Sequence, residues 1–353
     1  MKPLEKNYKR IVIKVGGSLF VSPEAVSNII NQIADLVRQR LEIVVVSSGA
    51  IACGVNLLGI QSRPRELSSL QATAALGQNL LMDIYSRGLG KKGLNCGQVL
   101  LTREDFNQRK RYLNAKNTIM ALIKLGAVPV INENDTVSTD EIKFGDNDRL
   151  SALVATLISA DLLIILSDID GLLDRNNKVV SLVEYIGPEI KALACPTDKK
   201  TCVGGMVTKL EAAKIAVDSR IPCVIANGRK ENIISSIIKG PLASEGRWTI
   251  FLPKKGYLTA RKRWIAFSTK VKGIVCVDKG AKEALVKKYK SLLSPGVVGV
   301  KGDFNVGDIV SVADERGNEF GRGKINYSSD ELRRIKGQRV KKEVIHRDNL
   351  VII

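Results

Sequence analysis

Two lysines and two clusters of carboxylate and amide side chains carry the chemistry this sequence can do. Lys14 sits inside the apolar run Arg10–Val15, and Gly16, Gly17 and Ser18 follow at once. Lys209 ends the segment Gly204-Gly205-Met206-Val207-Thr208-Lys209. Glycines just past a strand let the backbone approach a ligand closely, and N–H groups in such turns can face an anion. A glycine pair opening a helix, with Thr and Lys in its first turn, is a second candidate phosphate site. Between the lysines, the run Val128 to Ile131 stops at Asn132-Glu133-Asn134-Asp135, and Asp146-Asn147-Asp148 then opens a helical pattern at Leu150. Ordinary turn chemistry would account for either cluster alone. Two clusters bracketing one excursion from a strand end argue for a ligand there.

Several other chemistries are excluded. The single histidine, His346, lies near the C-terminus, so no Ser-His-Asp constellation serves the N-terminal region. No G-x-x-x-x-G-K-[ST], H-E-x-x-H or C-x-x-C is present. Paired lysines, strand-end glycines and carboxylates suit phosphoryl transfer, which needs charge neutralisation and in-line positioning more than covalent help. Mg²⁺ would ride on the nucleotide phosphates, with few protein ligands.

The elements that must hold these groups alternate. Buried-strand runs at 10–15, 43–46, 97–101, 128–131, 162–166, 223–226 and 248–252 are separated by helical patterns, including 67–85, 112–125, 150–159 and the stretch through Ala216. Ser22-Pro23-Glu24 marks another helix start. This alternation predicts an α/β domain, a three-layer sandwich on a mainly parallel sheet, over residues 1–253. Residues 254–263 read as a basic linker. Short β runs at 274–277, 297–300, 309–312 and 350–353, separated by Gly/Asp/Asn turns, predict a small mainly-β, barrel-like domain over 254–353.

The chain has 353 residues, 44% hydrophobic, with a net charge of +19. The last hundred residues hold 23 Lys/Arg against 11 Asp/Glu. That excess suits an acidic partner, nucleic acid first, or a solvated surface. No apolar run reaches membrane-spanning length, and the polar N-terminus has no secretory pattern, so a cytoplasmic protein is expected. Of six cysteines, only Cys195 and Cys202 stand close in sequence, and a reducing compartment disfavours a bridge.

At the level of motifs the chain resembles the glutamate 5-kinases, of the amino acid kinase fold, in the form with a C-terminal PUA domain. The matching stretches are Ile13–Ser18, Ser47–Ala52, Gln98–Arg103, Pro129–Asp135, Glu141–Lys143, Gly145–Asp148, Gly204–Met206 with Thr208-Lys209, Arg261–Trp264, Tyr327–Ser329, Leu332–Ile335 and His346–Asp348. The resemblance implies that L-glutamate and ATP give γ-glutamyl phosphate and ADP, the first step of proline synthesis. It implies that Ser48, Asp135 and Asn147 contact glutamate. Ser167, Asp168 and the run Val203 to Lys209 would contact ATP. Lys14 and Lys209 would face the transferred phosphate, helped by Gly16 and Gly17 N–H groups and oriented by Asp148. The γ-carboxylate is already ionised at neutral pH, so no general base is required. Other members of the fold, acetylglutamate or aspartate kinases, remain alternatives. The resemblance further implies a homo-oligomer, dimer or tetramer, with proline as a feedback ligand. A PUA domain could bind RNA, although scattered aromatics such as Tyr289 and Phe304 make no stacking stripe and favour a structural or regulatory role.

Overall fold

The protein is described by a computed structural model covering residues 8–138, 146–194, 205–240, 246–254, 256, 258–268 and 271–353. Val203, Gly204, Cys195, Cys202 and Glu141–Lys143 lie outside the described residues. The chain divides into two units, one holding residues 1–105 and 109–256, the other 106–108 and 257–353.

The first unit runs β1 (Arg10–Val15), α1 (Pro23–Arg38), β2 (Glu42–Ser47), α2 (Ala50–Leu58), α3 (Leu67–Gly90), β3 (Cys96–Leu101), α4 (Arg103–Asn107, whose last two residues count with the second unit), α5 (Arg109–Lys124) and β4 (Val128–Glu133). It continues with α6 (Asp146–Ile158), β5 (Leu162–Ser167), β6 (Leu182–Val183), α7 (Pro188–Ala194), α8 (Met206–Asp218), β7 (Cys223–Asn227), α9 (Ile233–Lys239) and β8 (Trp248–Phe251). One sheet takes the order β3-β4-β2-β1-β5-β7-β8-β6. Its pairs are parallel except β7–β8. The expected mainly parallel α/β sandwich is what the chain forms.

Strand alternation decides which side of the sheet each residue serves. On β1, Ile11, Ile13 and Val15 join a core with residues of α1, α3 and α9. Val12 and Lys14 therefore take the other side, where α6 lies against β1 and α8 against α6. Lys14 sits mid-sheet, in register with Val46 on β2 and Ile165 on β5. A lysine there must leave the strand row toward α6 and α8, and that is where its partners are.

The helices meet most closely at the α2–α3 crossing. A Cβ on Gly77 would lie 1.8 Å from the Ala50 carbonyl oxygen, and one on Gly54 would lie 2.0 Å from that of Thr73. The two backbones touch with nothing between them.

Sequence patterns set most element boundaries to within a few residues, with three differences that matter. β4 continues through Asn132 and Glu133, which pair with Leu100 and Leu101 of β3. α6 begins at Asp146 rather than Leu150, so Asn147 and Asp148 belong to its first turn. β6 and α7 lie in the polar stretch after β5, where the sequence pattern marks no element.

The second unit carries a five-stranded sheet of β9 (Gly273–Val277), β10 (Val297–Gly302), β11 (Ile309–Ala313), β12 (Glu319–Lys324) and β13 (Leu350–Ile352). Its order is β10-β9-β11-β12-β13, with β9–β11 the parallel pair. β12 was not among the sequence expectations. The predicted linker holds α10 (Ala260–Arg263), capped by the Thr259 hydroxyl, and Arg263 and Trp264 are buried. The remaining helices are α11 (Lys279–Lys288) and α12 (Ser329–Ile335), the latter opened by a Ser328–Glu331 capping box.

Candidate active site

The parallel strands β1, β2, β4 and β5 all end on one edge of the sheet, and their last residues lead directly into the polar turns. Gly16-Gly17 follows β1, Ser48 follows β2, Asn134-Asp135 follows β4, and Ser167 ends β5 beside Asp168. Together with the first turns of α6 and α8 these turns line a single cleft of about 560 Å³. The carboxyl ends of parallel strands are where open α/β sheets bind ligands.

At the cleft floor two ammonium groups share one carboxylate. Lys14 Nζ is 2.5 Å from Asp148 Oδ1, and Lys209 Nζ is 3.4 Å from Asp148 Oδ2. The residues are 5%, 1% and 8% exposed for Lys14, Asp148 and Lys209, so this is a desolvated charge cluster rather than a surface pair. The Thr208 hydroxyl donates to Asp148 Oδ2 at 2.9 Å, and Lys209 Nζ also donates to the Gly205 carbonyl at 3.3 Å. The Ser151 hydroxyl donates to the Asp148 carbonyl at 2.6 Å, tying down the turn. Burial works to raise the Asp148 carboxyl, but Lys14 and Lys209 outweigh it and hold the group below its ordinary value. Burial pushes the Lys14 ammonium down, more than Asp148 restores, and Lys209 adds to the downward push.

The cleft brings together Lys14, Gly16, Gly17, Ser48, Asp135, Asn147, Asp148, Ser167, Asp168, Gly205, Thr208 and Lys209. Met206 and Val207 belong to the first turn of α8 but are not among its lining side chains. The expected role of the Gly16 N–H needs correction. It donates to the Leu166 carbonyl at 3.0 Å, extending the β1–β5 ladder, and cannot face a phosphate. Gly16 serves by being small: its Cβ would lie 3.0 Å from the Leu166 oxygen and 3.7 Å from Lys14 Nζ. Gly17 opens a short 3₁₀ turn, Gly17–Val21, and the first N–H groups of such a turn have no partner within it.

Asn147 Oδ1 is a buried acceptor with no hydrogen-bond partner among the described residues. At the opposite side, burial works to raise Asp168. Hydrogen bonds from Ser167 and Ser18, together with the Arg229 charge, hold it below the usual carboxylate value. Arg63, Asn132 and Glu133, not among the expected site residues, also line the cleft. Asn132 and Glu133 stood in the strand-end cluster and could have been included. Arg63 lies in a polar turn with no pattern to mark it.

Comparison with known proteins identifies the family. The amino acid kinase family matches residues 9–227, and the PUA domain matches residues 273–346. A glutamate 5-kinase of Caldanaerobacter subterraneus subsp. tengcongensis is 46% identical, covering 98% of this chain and 98% of that protein. The chain belongs to the amino acid kinase family, in its glutamate 5-kinase branch. Glutamate 5-kinases of Moorella thermoacetica and Dehalococcoides mccartyi are each 42% identical, covering 98% and 99% of this chain. The alignments cover 98%, 96% and 100% of these three relatives, in the order named, and so take in the region of the PUA match. No described helix is long and apolar enough to cross a membrane.

Proposed function

We propose that the cleft transfers the γ-phosphoryl group of ATP to the γ-carboxylate of L-glutamate, giving γ-glutamyl phosphate and ADP, a step that commits glutamate toward proline. The observation that carries this reading is the convergence of Lys14 and Lys209 on the two oxygens of Asp148. Two ammonium groups held on either side of one point can neutralise a migrating phosphoryl group and its leaving oxygen together. Asp148 fixes their separation and reduces their mutual repulsion before substrate arrives. The Gly17 N–H adds a neutral donor.

Glutamate fits the other end of the cleft. Asp135 and the unpaired Asn147 Oδ1 suit an α-ammonium group. The Ser48 hydroxyl can donate to a carboxylate without adding negative charge. Ser167, Asp168, Gly205 and Thr208 stand at the β5 and α8 ends, where a nucleotide would bring its phosphates against the first turn of α8. Mg²⁺ belongs with that nucleotide. Asp148 is engaged by two ammonium groups. Such a donor set fits an ion that arrives on the ATP phosphates.

An ADP-release assay with glutamate, aspartate and N-acetylglutamate, each with and without proline, tests the reading. Glutamate is expected to turn over at least about tenfold faster than either alternative, the scale set by one methylene plus a lost ammonium contact. Preference for aspartate or N-acetylglutamate would overturn it. Inhibition by proline would support the feedback role, and a sedimentation experiment would distinguish dimer from tetramer.

The pH profile should be asymmetric. Lys14 must keep its proton to stabilise the phosphoryl group, and its folded value lies below the ordinary 10.5. kcat/KM, which reports the free enzyme, is expected to fall on the alkaline side at a pH below that of an ordinary lysine. No histidine-like limb near neutrality is expected, because the acceptor needs no general base.

A further inference from the structure

Helix α3 meets the acceptor end of the cleft at three evenly spaced points. Gln71 Nε2 donates to the Ser138 carbonyl at 3.1 Å. Gln78 Oε1 accepts from Asn132 Nδ2 at 2.9 Å. The Tyr85 hydroxyl lies 3.0 Å from the Ser47 hydroxyl, fully buried. Successive members are seven residues apart, which is about two helical turns and about 10 Å, and so returns to nearly the same face. Their partners are the shoulders of the acceptor residues. Ser47 precedes Ser48, while Asn132 and Ser138 stand three residues before and after Asp135.

These contacts propagate inward. Asn132, held by Gln78, in turn accepts the Glu133 N–H on its own Oδ1 at 2.9 Å. Gln78 keeps its other polar atom, Nε2, buried with no partner among the described residues. An apolar side chain there would remove that unmet donor but strip the buried Asn132 Nδ2 of its acceptor, so what the glutamine secures is its contact with the strand end. The crossing at Gly77 and Ala50 makes α3 and the start of α2, which carries the chain away from Ser48, a single body.

We propose that Gln71, Gln78 and Tyr85 are positioning residues that fix the separation of Ser48 from Asp135 and thereby decide which length of acidic amino acid the cleft accepts. This rests on the assignment of Ser48, Asp135 and Asn147 to the acceptor. None of the three lines the cleft. They act through the segments they hold. The reacting carboxylate must meet the Lys14–Lys209 pair while the α-ammonium stays at Asp135. A shift of the Asp135 loop by the length of one methylene would therefore blur the distinction between glutamate and aspartate.

The test uses the full chain carrying Gln71→Met, Gln78→Met or Tyr85→Phe, substitutions close in size that delete the hydrogen-bonding atom. For the two glutamine variants the glutamate KM is expected to rise about tenfold, and the preference for glutamate over aspartate to narrow by a similar factor. Tyr85→Phe should move both in the same direction by less. The ATP KM and kcat should stay within about twofold, because the transfer end is untouched. A merely structural role would lower the unfolding temperature and kcat together and leave the glutamate KM alone. Folded Gln71→Met and Gln78→Met with parental glutamate KM and parental preference would overturn the proposal. Ser48→Ala and Asp135→Asn are measured alongside. If they also leave the glutamate KM unchanged, the acceptor assignment itself is wrong. If they raise it while the glutamine variants do not, only the role of α3 is lost.

Discussion

Lys209→Ala is expected to fold and to lose about three orders of magnitude in kcat, the scale of removing one preorganised donor from a developing charge. The fold should survive because Asp148 keeps Lys14 at 2.5 Å and Thr208 at 2.9 Å, so no buried carboxylate is orphaned. The rate should not, because Lys209 is the cation that α8 contributes, and among the described residues Lys14 is the other lysine lining the cleft. Lys209→Arg should restore little: a planar fork cannot take the place of a compact ammonium between Asp148 and the Gly205 carbonyl. The measurement is ADP release by the purified variant, with its unfolding curve as control. A parental rate would remove Lys209 from the transfer step.

Asp148→Asn should cost both activity and stability. The amide keeps the shape, but it leaves two ammonium groups buried without a counter-charge. Breaking one partner out of a buried ion pair costs about 3–5 kcal/mol. The expected result is a drop of that order in denaturant unfolding and a kcat lower by about a thousandfold, since the lysines would repel and lose their spacing. The sign of the pH dependence follows from the lowered carboxyl. The stability Asp148 contributes is present above the ordinary 3.8 and is lost only as pH falls through its lower folded value. The parent should therefore lose stability in that acid window more steeply than Asp148→Asn does. Equal acid limbs and equal midpoints in the two proteins would contradict the shared-carboxylate arrangement.

How far this site could be read in the sequence varied with how each residue declares itself. Lys14 was legible because a charged residue inside an apolar strand run is rare and glycines followed it. Lys209 was legible because Gly-Gly before a helix carries a recognised use. Their convergence was a proposition until the sheet order put β1 between β2 and β5 with α6 and α8 on one side. α2 stayed hidden because Gly49, at φ 118°, starts it without any side-chain cap. The small residues after Ser48 carry no helical pattern that would mark it. α6 was placed four residues late because Asp-Asn-Asp is equally good turn chemistry, whereas negative side chains also favour a helix start. β12 was missed because Gly321 and Gly323 interrupt its alternation, which local pattern counts as loop.

The Gly16 N–H shows a different limit. Sequence says that a glycine can present its amide to an anion. Only the register of β1 against β5 says that this one is already spent on Leu166. Gln71, Gln78 and Tyr85 show the reverse. Their heptad spacing is plain in the sequence, yet nothing in it announces that Ser138, Asn132 and Ser47 wait opposite.

The bare crossing of α2 over α3 limits how this enzyme could be redesigned. Gly54 and Gly77 leave room for hydrogen and nothing else, so a library randomised at both positions should return glycine at both. Efforts to admit a bulkier acceptor would have to spare that junction and vary the loops at residues 59–66 and 134–138, where length and composition can change without separating the two helices.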